Sequence, residues 1–538
     1  MSIVARVACI TLLALVGACG GDDSEGAPAG SGGQGSAAVS GAASSPMAGA
    51  QATGGTAGAG GTAGAGGSGG AGAGGMPAGA GGSPPIQDAG EPDADVDSGT
   101  DAGPQPMPQM LPEVLREAGL VALYPAPGSS DQCPDPALRM VFSAPPALGS
   151  AGRVLIFDSA NSDNAIASID LSVDDTSQTI GGVTFTTERA AYVEGNELVV
   201  YPRPDMLERG HSYFVRVEAG AVTGPGNAAL SIIDETTWTF STAASGPADP
   251  SALSVASDGN GDFCSPQNAI DAATDGATIE IGRGTYHGII HFSDRARLTL
   301  RGADRKATIL AGTNNENMNG GTAKRALIGI DSSSDIAFER LTIHNRTPQG
   351  GSQAEALRMQ RCDRCSVRDA DIVSLQDTLL WSGTVYAKDC YIAGNVDFIW
   401  GTGAAYFDHC EIKTIGRKGY TVQARNGAGG YGYVFVDSRM TSDPGITGHW
   451  LGRVDASVYP SSHVAYIDCE LGPHIDPAGW QVTGFGGGSL RFWEYGSTSP
   501  SGMPIDISDR HSSSRQLTST EAAEMRDPSV VLGGWTPE

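Results

Sequence analysis

Basic residues and aromatic residues are both scarce in this chain of 538 residues. Lysine and arginine together number 33 against 60 aspartates and glutamates, which gives a net charge of −27. A nucleic-acid-binding surface needs clustered basic side chains to neutralise phosphates, so this balance argues against nucleic acid as a partner. Aromatic residues make up only 6% of the chain, whereas glycine alone accounts for 77 residues. This composition indicates that a long part of the chain builds no packed core.

Long apolar runs are missing except near the N-terminus, where residues 10–16 follow the single arginine Arg6. The run is too short for a transmembrane helix and predicts an export signal over Met1–Ala18. Val-Gly-Ala precedes Cys19, which resembles the lipobox of bacterial lipoproteins. The resemblance implies an exported protein, lipid-anchored at Cys19 to a bacterial membrane, and the glycine after Cys19 favours the outer membrane. The alternative is an ordinary secretory signal in which Cys19 has no role.

A low-complexity segment follows the signal. Residues 19–110 consist almost entirely of glycine, alanine, serine, proline and aspartate, and they show no periodic apolar pattern. Such a segment buries too little apolar surface to offset the entropy of ordering it. The sequence therefore predicts a disordered linker between the lipid anchor and the folded domains.

Residues 111–247 have a different sequence pattern, in which short apolar strands are separated by turn residues. Tyr213–Val217 and the segment around Trp238 alternate between apolar and polar residues, as half-buried strands do. Several such strands without helical periodicity predict a β-sandwich. The segment resembles bacterial Ig-like domains, and we expect either a spacer or a module that contacts carbohydrate.

The cysteines do not define a framework. Without Cys9 in the signal and the acylated Cys19, seven remain, and an odd number does not favour a complete set of disulfides. Cys362 and Cys365 form the one CxxC motif, which leaves two interpretations open: a local disulfide or half of a zinc site. Because the sequence has no second CxxC and no histidine pair at ligand spacing, no metal site is expected.

Residues 251–538 contain a repeated strand motif, in which a small residue, a polar residue and a large apolar residue follow one another. Successive copies are separated by 20, 20, 28 and 31 residues. The copies are Ala370–Ile372, Cys390–Ile392, Cys410–Ile412, Ser438–Met440 and Cys469–Leu471. A strand motif that returns after about twenty residues is typical of a solenoid of β coils. The cysteines of the motif are then expected to be small buried core residues.

The step of 20 residues places Asp377 and Asp397 at equivalent positions on adjacent coils. Neighbouring parallel strands lie about 4.8 Å apart, so one carboxyl pKa should rise while the other stays low. This arrangement allows one carboxylate to attack while the other donates a proton. The alternative is a solvated ladder of aspartates. However, Asp397 lies in the mostly apolar segment Val396–Trp400, where an idle carboxylate would be costly.

Four blocks of sequence resemble, in order, the motif blocks of pectin methylesterases. They are Gln353–Leu357, Gln376–Leu379, Gly394–Gly401 and Leu451–Arg453. The resemblance extends over roughly residues 252–510. It implies an all-β, right-handed parallel β-helix that hydrolyses the methyl esters of pectin. It also implies a polysaccharide substrate and no metal or organic cofactor.

The same resemblance implies a role for each polar residue of the blocks. Asp397 would be the nucleophile, and Asp377 would first protonate the departing methanol and then activate water. Gln353 and Gln376 would donate hydrogen bonds to the oxyanion, and Arg453 would hold Asp397 ionised.

One departure from the family pattern leaves the substrate open. The family usually has a tryptophan in the sugar groove where this chain has Asp455. Three other tryptophans are candidates for stacking on sugar in its place: Trp381, Trp450 and Trp480. For each of them, packing in the core is the alternative. A different ester substrate for the same two aspartates is therefore one alternative. A carbohydrate-binding or adhesion β-helix with an unused site is another.

Overall fold

The computed structural model describes residues 110–173, 176–202, 207–484 and 489–538. The predicted signal over residues 1–18, Cys19 and the linker lie outside these residues, apart from Met110 at the end of the linker. Within the described part of the chain, no helix combines the length and apolar character that crossing a bilayer requires.

The middle domain consists of two mainly antiparallel sheets that face each other. It begins with the short helix α1 (Glu113–Glu117) and contains a 3₁₀ turn at Pro225–Asn227. Its strands are β1 (Leu120–Tyr124), β2 (Ser129–Gln132), β3 (Leu138–Phe142), β4 (Ala147–Leu148), β5 (Arg153–Asp158), β6 (Ala167–Asp170), β7 (Thr176–Ile180), β8 (Val183–Thr187), β9 (Ala191–Glu194), β10 (Glu197–Val200), β11 (Ser212–Gly224), β12 (Ala228–Ile232) and β13 (Thr239–Thr242).

The two sheets of the middle domain share one hydrophobic core. One sheet has the order β1-β3-β10-β9, and the other has the order β2-β13-β11-β5-β6, with β4 and β12 also paired to β11. Met140 and Leu198 from the first sheet and Val154 and Val215 from the second lie in that core. The arrangement is that of a β-sandwich. The closer likeness to Ig-like domains stays a prediction.

The C-terminal domain is built from short strands that pair with the next coil of the chain. They are β14 (Ala252–Val255), β15 (Thr278–Ile281), β16 (Gly284–His287), β17 (Ile290–Ser293), β18 (Thr299–Gly302), β19 (Thr308–Gly312), β20 (Ile328–Asp331), β21 (Ala337–Glu339), β22 (Thr342–Asn345), β23 (Leu357–Arg368), β24 (Asp371–Val373), β25 (Leu379–Lys388), β26 (Tyr391–Gly394), β27 (Val396–Gly401), β28 (Ala404–Asp408), β29 (Glu411–Thr414), β30 (Tyr420–Ala424), β31 (Tyr433–Val436), β32 (Arg439–Ser442), β33 (Trp450–Asp455), β34 (His463–Ile467), β35 (Glu470–Leu471), β36 (Trp480–Thr483), β37 (Arg491–Tyr495) and β38 (Ser514–Gln516).

These strands stack into three parallel columns. The first column is the sheet β16-β19-β22-β24-β26-β29-β32-β35. The second runs β17-β20-β23-β25-β27-β30-β33-β36, and the third runs from β14 and β15 through β18, β21 and β28 to β38. The second and third columns are joined because β23 pairs with β20 through its first half and with β21 through its second. The predicted parallel β-helix is confirmed.

The repeated motif is in register from coil to coil. In the first column Ile372 pairs with Ile392, which pairs with Ile412, and the series continues to Met440 and Leu471. Each copy follows a residue with positive φ, for example Asp389 (φ 54°), which turns the chain from the third column into the first. A core built from one position per coil explains why insertions occur between copies of the motif and not inside them.

Helices cover parts of this stack. Helix α2 (Pro266–Ala272) packs against the first coils, and α3 (Ser519–Met525) and α4 (Pro528–Val531) follow the last strand. Met525 and Val531 pack against the outer surface of the third column, where Val434 and Tyr406 lie.

Five cysteines of the β-helix are buried free thiols, as predicted for the three that belong to the motif. They are Cys362, Cys365, Cys390, Cys410 and Cys469. The two thiols of the CxxC motif form no disulfide. Among the described residues, the group of potential metal ligands that lie close together does not include them. A disulfide between Cys133 and Cys264, which the cysteine count did not predict, connects the β-sandwich to the β-helix.

The stacked core predicts a sharp contrast between neighbouring positions of β29. Ile412→Ala should lower the free energy of unfolding by roughly 2–5 kcal/mol, because it leaves a cavity between two coils. Lys413→Ala, which loses only a partly exposed ion pair with Asp443 at 3.2 Å, should cost no more than about 1 kcal/mol. Chemical denaturation of both variants measures the difference. Equal losses would contradict a core made by stacking.

Candidate active site

Two aspartates lie in register on adjacent coils of the second column. Gln376 pairs with Val396 and Leu379 pairs with Ile399, so Asp377 and Asp397 occupy matching positions. Both have positive φ, 64° and 49°, a conformation that aspartate adopts more readily than most residues. Both are buried, with 7% and 5% of their surface exposed. The predicted juxtaposition of the two residues is thus present in the backbone pairing.

Arg453 holds Asp397 through both carboxylate oxygens. Its Nε donates to Asp397 Oδ1 at 2.7 Å, and Nη2 donates to Oδ2. The guanidinium also lies over the ring of Tyr420, with Cζ 4.7 Å from the ring centroid. A forked, charge-assisted pair of this kind fixes the carboxylate in one orientation and favours its ionised form. Sequence resemblance identified Arg453, and the structure places it against its expected partner.

Arg325 holds the other aspartate and was missed by sequence reasoning. Its Nη2 donates to Asp377 Oδ2 at 3.1 Å and to Glu355 Oε1 at 2.8 Å. Its Nη1 lies 3.1 Å from Glu316 Oε2. Glu355 is in register with Asp377 one coil earlier, because Leu357 pairs with Leu379. A signal for Arg325 was present in Glu355 itself, since a buried glutamate in the first motif block requires a cation.

The surroundings give the two carboxyl groups different tendencies to ionise. Burial raises the pKa of Asp377 well above its usual range, and the charges of Glu355 and Asp397 raise it further against the opposing effect of Arg325. Burial also raises the pKa of Asp397, which Arg453 and Arg425 then lower. The expectation that one pKa would stay low is therefore wrong for Asp397, because burial outweighs its cations. Both pKa values are raised, and the rise is larger for Asp377, so Asp377 holds its proton more tightly than Asp397.

The two predicted oxyanion donors lie on adjacent coils. Gln376 directly precedes Asp377. Ala354, which follows Gln353, donates its backbone N–H to the carbonyl oxygen of Gln376 at 3.1 Å. Both glutamine side chains are half-buried. Gln353 Oε1 accepts a hydrogen bond from Ser352 Oγ at 2.8 Å, which leaves its amide group as a donor.

Two of the three tryptophans predicted to contact sugar belong to the core. Trp381 is 0% exposed and stacks on Phe407, and Trp480 is 1% exposed and stacks on Phe492. Both side chains belong to the hydrophobic core of the β-helix, so the substrate-binding assignment is wrong for both. Trp450 is half-buried at the start of β33 and remains a candidate.

A tryptophan that was not predicted to contact substrate lies at the site. The ring of Trp400 contacts two guanidinium groups, with Cζ of Arg425 at 4.5 Å and Cζ of Arg325 at 5.5 Å from the centroid. Arg425 also contributes to lowering the pKa of both aspartates. The site therefore contains three arginines around two central carboxyl groups, and Trp400 contacts two of these arginines.

Comparison with known proteins identifies the family. The Pectinesterase family model matches residues 252–528, more than half of the chain. The chain belongs to the pectinesterase family. Pectinesterase 31 of Arabidopsis thaliana is 31% identical over 296 residues, covering 52% of this chain and 91% of the relative. Probable pectinesterase 56 of the same plant is 32% identical over 250 residues, covering 43% of this chain and 85% of the relative.

Solved structures of the same type are also similar. The pectin methylesterase from Aspergillus niger, in a deglycosylated form, is 24% identical with a TM-score of 0.46, over 54% of this chain and 96% of that protein. Pectin methylesterase PemA from Erwinia chrysanthemi is 24% identical with a TM-score of 0.45, over 54% of this chain and 99% of that protein.

Asp455 stands where the sequence resemblance to the pectinesterase family led us to expect a tryptophan. The side chain is exposed and shapes a turn, because Oδ1 accepts hydrogen bonds from Ser457 N at 3.0 Å and Ser457 Oγ at 2.5 Å. Tyr459 lies four residues further along, and its ring is 5.5 Å from Cζ of Arg425. Tyr459 and Trp450 are therefore partly accessible aromatic residues near the position where the family tryptophan is missing.

The raised pKa of Asp377 predicts a stability effect that depends on pH. The folded chain binds this proton more tightly than the unfolded chain, so stability falls as pH rises from about 3.9, the unfolded value, through the raised folded value. Asp377→Asn cannot ionise and should therefore be more stable than wild type at pH 7, with a difference that vanishes towards pH 4. Thermal unfolding between pH 4 and pH 8 measures this difference.

A matched control for that experiment is Asp389→Asn. Asp389 has a similar positive φ but an exposed side chain. We expect its stability to follow wild type at every pH. A difference between Asp377→Asn and wild type that grows on acidification would contradict the assignment.

Proposed function

We propose that this member of the pectinesterase family removes methyl esters from homogalacturonan and releases methanol. Asp397 is the nucleophile, and Asp377 is the acid and base. The observation that carries this proposal is that two adjacent carboxyl groups form different ion pairs. Asp397 is ion-paired through both oxygens with Arg453, whereas Asp377 shares Arg325 with two other acidic side chains.

The first half of the reaction forms a covalent intermediate. An oxygen of Asp397 attacks the ester carbonyl carbon, and the side-chain amides of Gln353 and Gln376 donate to the developing oxyanion. Each such donor is typically worth about 3–4 kcal/mol of barrier lowering. The tetrahedral intermediate collapses, the bond to the methoxy oxygen breaks, and the proton of Asp377 passes to that oxygen to give methanol. An acyl anhydride on Asp397 remains.

The second half regenerates the enzyme. Asp377, now ionised, accepts a proton from a water molecule as that water attacks the anhydride carbonyl. The bond to the Asp397 oxygen breaks, which releases the galacturonate carboxyl and restores the Asp397 carboxylate. Arg453 favours the departure of this carboxylate because it binds the ionised form through both oxygens. All steps use residues of this chain and water.

The substrate assignment is supported by family membership and has one specific rival. The relatives are named pectinesterases, and pectin methylesterase structures with bound hexasaccharides belong to proteins similar to this one. The rival is a different ester, which is favoured by Asp455 in place of the groove tryptophan. Methanol release from highly methylated pectin, compared with hydrolysis of small acyl esters, separates the two.

The nucleophile prediction has a control eight residues away. Asp397→Ala should lower methanol release from pectin by at least roughly 10³-fold, because the covalent route is lost. Asp389→Ala should leave it unchanged, since that side chain is exposed on another turn of the coil. Unchanged turnover by Asp397→Ala would remove the proposed nucleophile. A wild-type protein that binds pectin without releasing methanol would favour an adhesion module instead.

We also propose that the chain is exported and anchored through a lipid on Cys19 to the bacterial outer membrane. Cys19→Ala should move the protein from the membrane fraction to the soluble fraction of cells. Cys9→Ala is the matched control, because this cysteine lies within the signal that is removed. Membrane association that survives Cys19→Ala would leave only an ordinary secretory signal.

A further inference from the structure

One hairpin of the β-sandwich domain packs against the β-helix. The hairpin of β7 and β8 pairs with neither sheet of the sandwich. Its side chains Ile180 and Phe185 form a small apolar cluster with Ile289, which directly precedes β17. The hairpin is therefore packed against an early coil of the other domain.

The end of this hairpin is hydrogen-bonded to a loop of the β-helix, residues 313–326. Thr186 donates its backbone N–H to Asn319 Oδ1 at 2.8 Å, and Thr186 O accepts from Asn319 Nδ2 at 2.7 Å. The Asn319 amide thus pairs with the strand as a neighbouring strand residue would. Asn319 is only 3% exposed, and its Nδ2 also donates to Asn314 Oδ1 at 2.8 Å.

Two further contacts tie the same loop to the sandwich. Thr313 donates its backbone N–H to Glu188 Oε2 at 3.1 Å, one residue beyond the hairpin. Lys324 Nζ lies 6.0 Å from the ring centroid of Phe185. The middle domain therefore contacts the loop near its beginning, in its middle and near its end.

The loop contacts both a proposed oxyanion donor and the arginine that binds the proposed acid. Glu316 donates its backbone N–H to Gln353 O at 2.9 Å. The Glu316 carboxylate pairs with Arg325, and Arg325 pairs with Asp377 at 3.1 Å. A path of direct contacts thus runs from the sandwich hairpin through Asn319 and the loop to the proposed acid.

We propose that the β7–β8 hairpin is a positioning element of the ester-hydrolysing site, with Asn319 as its point of attachment. This inference rests on the proposed function. The hairpin fixes the loop so that Arg325 stays between Glu355 and Asp377. If Arg325 moved away, two buried carboxyl groups on adjacent coils would lose their common cation, and the acid would be misplaced. The middle domain is then part of the active enzyme and more than a spacer.

The test compares full-length Asn319→Ala with wild type on methylated pectin. We expect kcat to fall by roughly 10- to 100-fold with KM changed less than about twofold, because the acid is misplaced while the groove is intact. The alkaline limb of the kcat–pH profile should move to higher pH, because a carboxyl that loses a neighbouring cation holds its proton more tightly. Loss of stability alone would not move that limb.

Two further variants complete the experiment. Phe185→Ala leaves the loop sequence intact but removes the hairpin's apolar contact with Ile289 and its ring contact with Lys324. It should therefore reproduce both effects, and it serves as the test if Asn319→Ala fails to fold. Thr184→Ala, exposed on the same hairpin, should behave as wild type. Thermal unfolding of each variant confirms that folded protein is assayed.

The outcomes separate this inference from the proposed function. An active wild type together with folded Asn319→Ala and Phe185→Ala variants of unchanged kcat and pH profile overturns the positioning role alone. A wild type that releases no methanol overturns the proposed function, and the positioning role with it. A reduced kcat with an unshifted alkaline limb also overturns the role, because it would reflect general loosening.

Discussion

The stacking of identical positions on successive coils is the constraint from which the site follows. Parallel strands separated by about 4.8 Å bring equivalent side chains together whatever their charge. Glu355, Asp377 and Asp397 occupy one such line. Three acidic groups at this spacing repel one another, so the fold can keep them only with cations or bound protons. The proposed mechanism depends on the unequal distribution of these cations between Asp377 and Asp397.

The cations come from both directions along the solenoid. Arg325 precedes the acidic residues and is shared among several carboxylates, whereas Arg453 follows them and serves Asp397 through both of its oxygens. A shared cation and a dedicated cation make two similar aspartates chemically different. In the proposed mechanism, identical residues at equivalent positions act as an acid and a nucleophile because their partners lie outside the repeat.

Sequence reasoning recovered what depends on the repeat and missed what depends on distant segments. The spacing of the motif was sufficient to align Asp377 with Asp397, and family blocks added Arg453. Arg325 belongs to no block and to no regular strand. The one sequence signal for it was Glu355, a glutamate in an otherwise apolar segment that needs a cation if it is buried. The disulfide of Cys133 with Cys264 joins residues 131 positions apart, and an odd cysteine count could not reveal it. Trp381 and Trp480 were misassigned because aromatic character alone does not tell the inner from the outer face of a coil.

The distribution of the site along the solenoid limits how such a protein can change in length. The polar apparatus from Glu355 to Arg453 is supplied by five consecutive coils, each contributing side chains at a fixed height. Adding or removing one coil within this interval would shift an arginine by a full strand spacing relative to its carboxylate. Coils added at either end of the solenoid would leave the spacing between these arginines and carboxylates unchanged. Growth or shortening of the solenoid during evolution should therefore be confined to its terminal coils and to loops that leave the coil height unaltered.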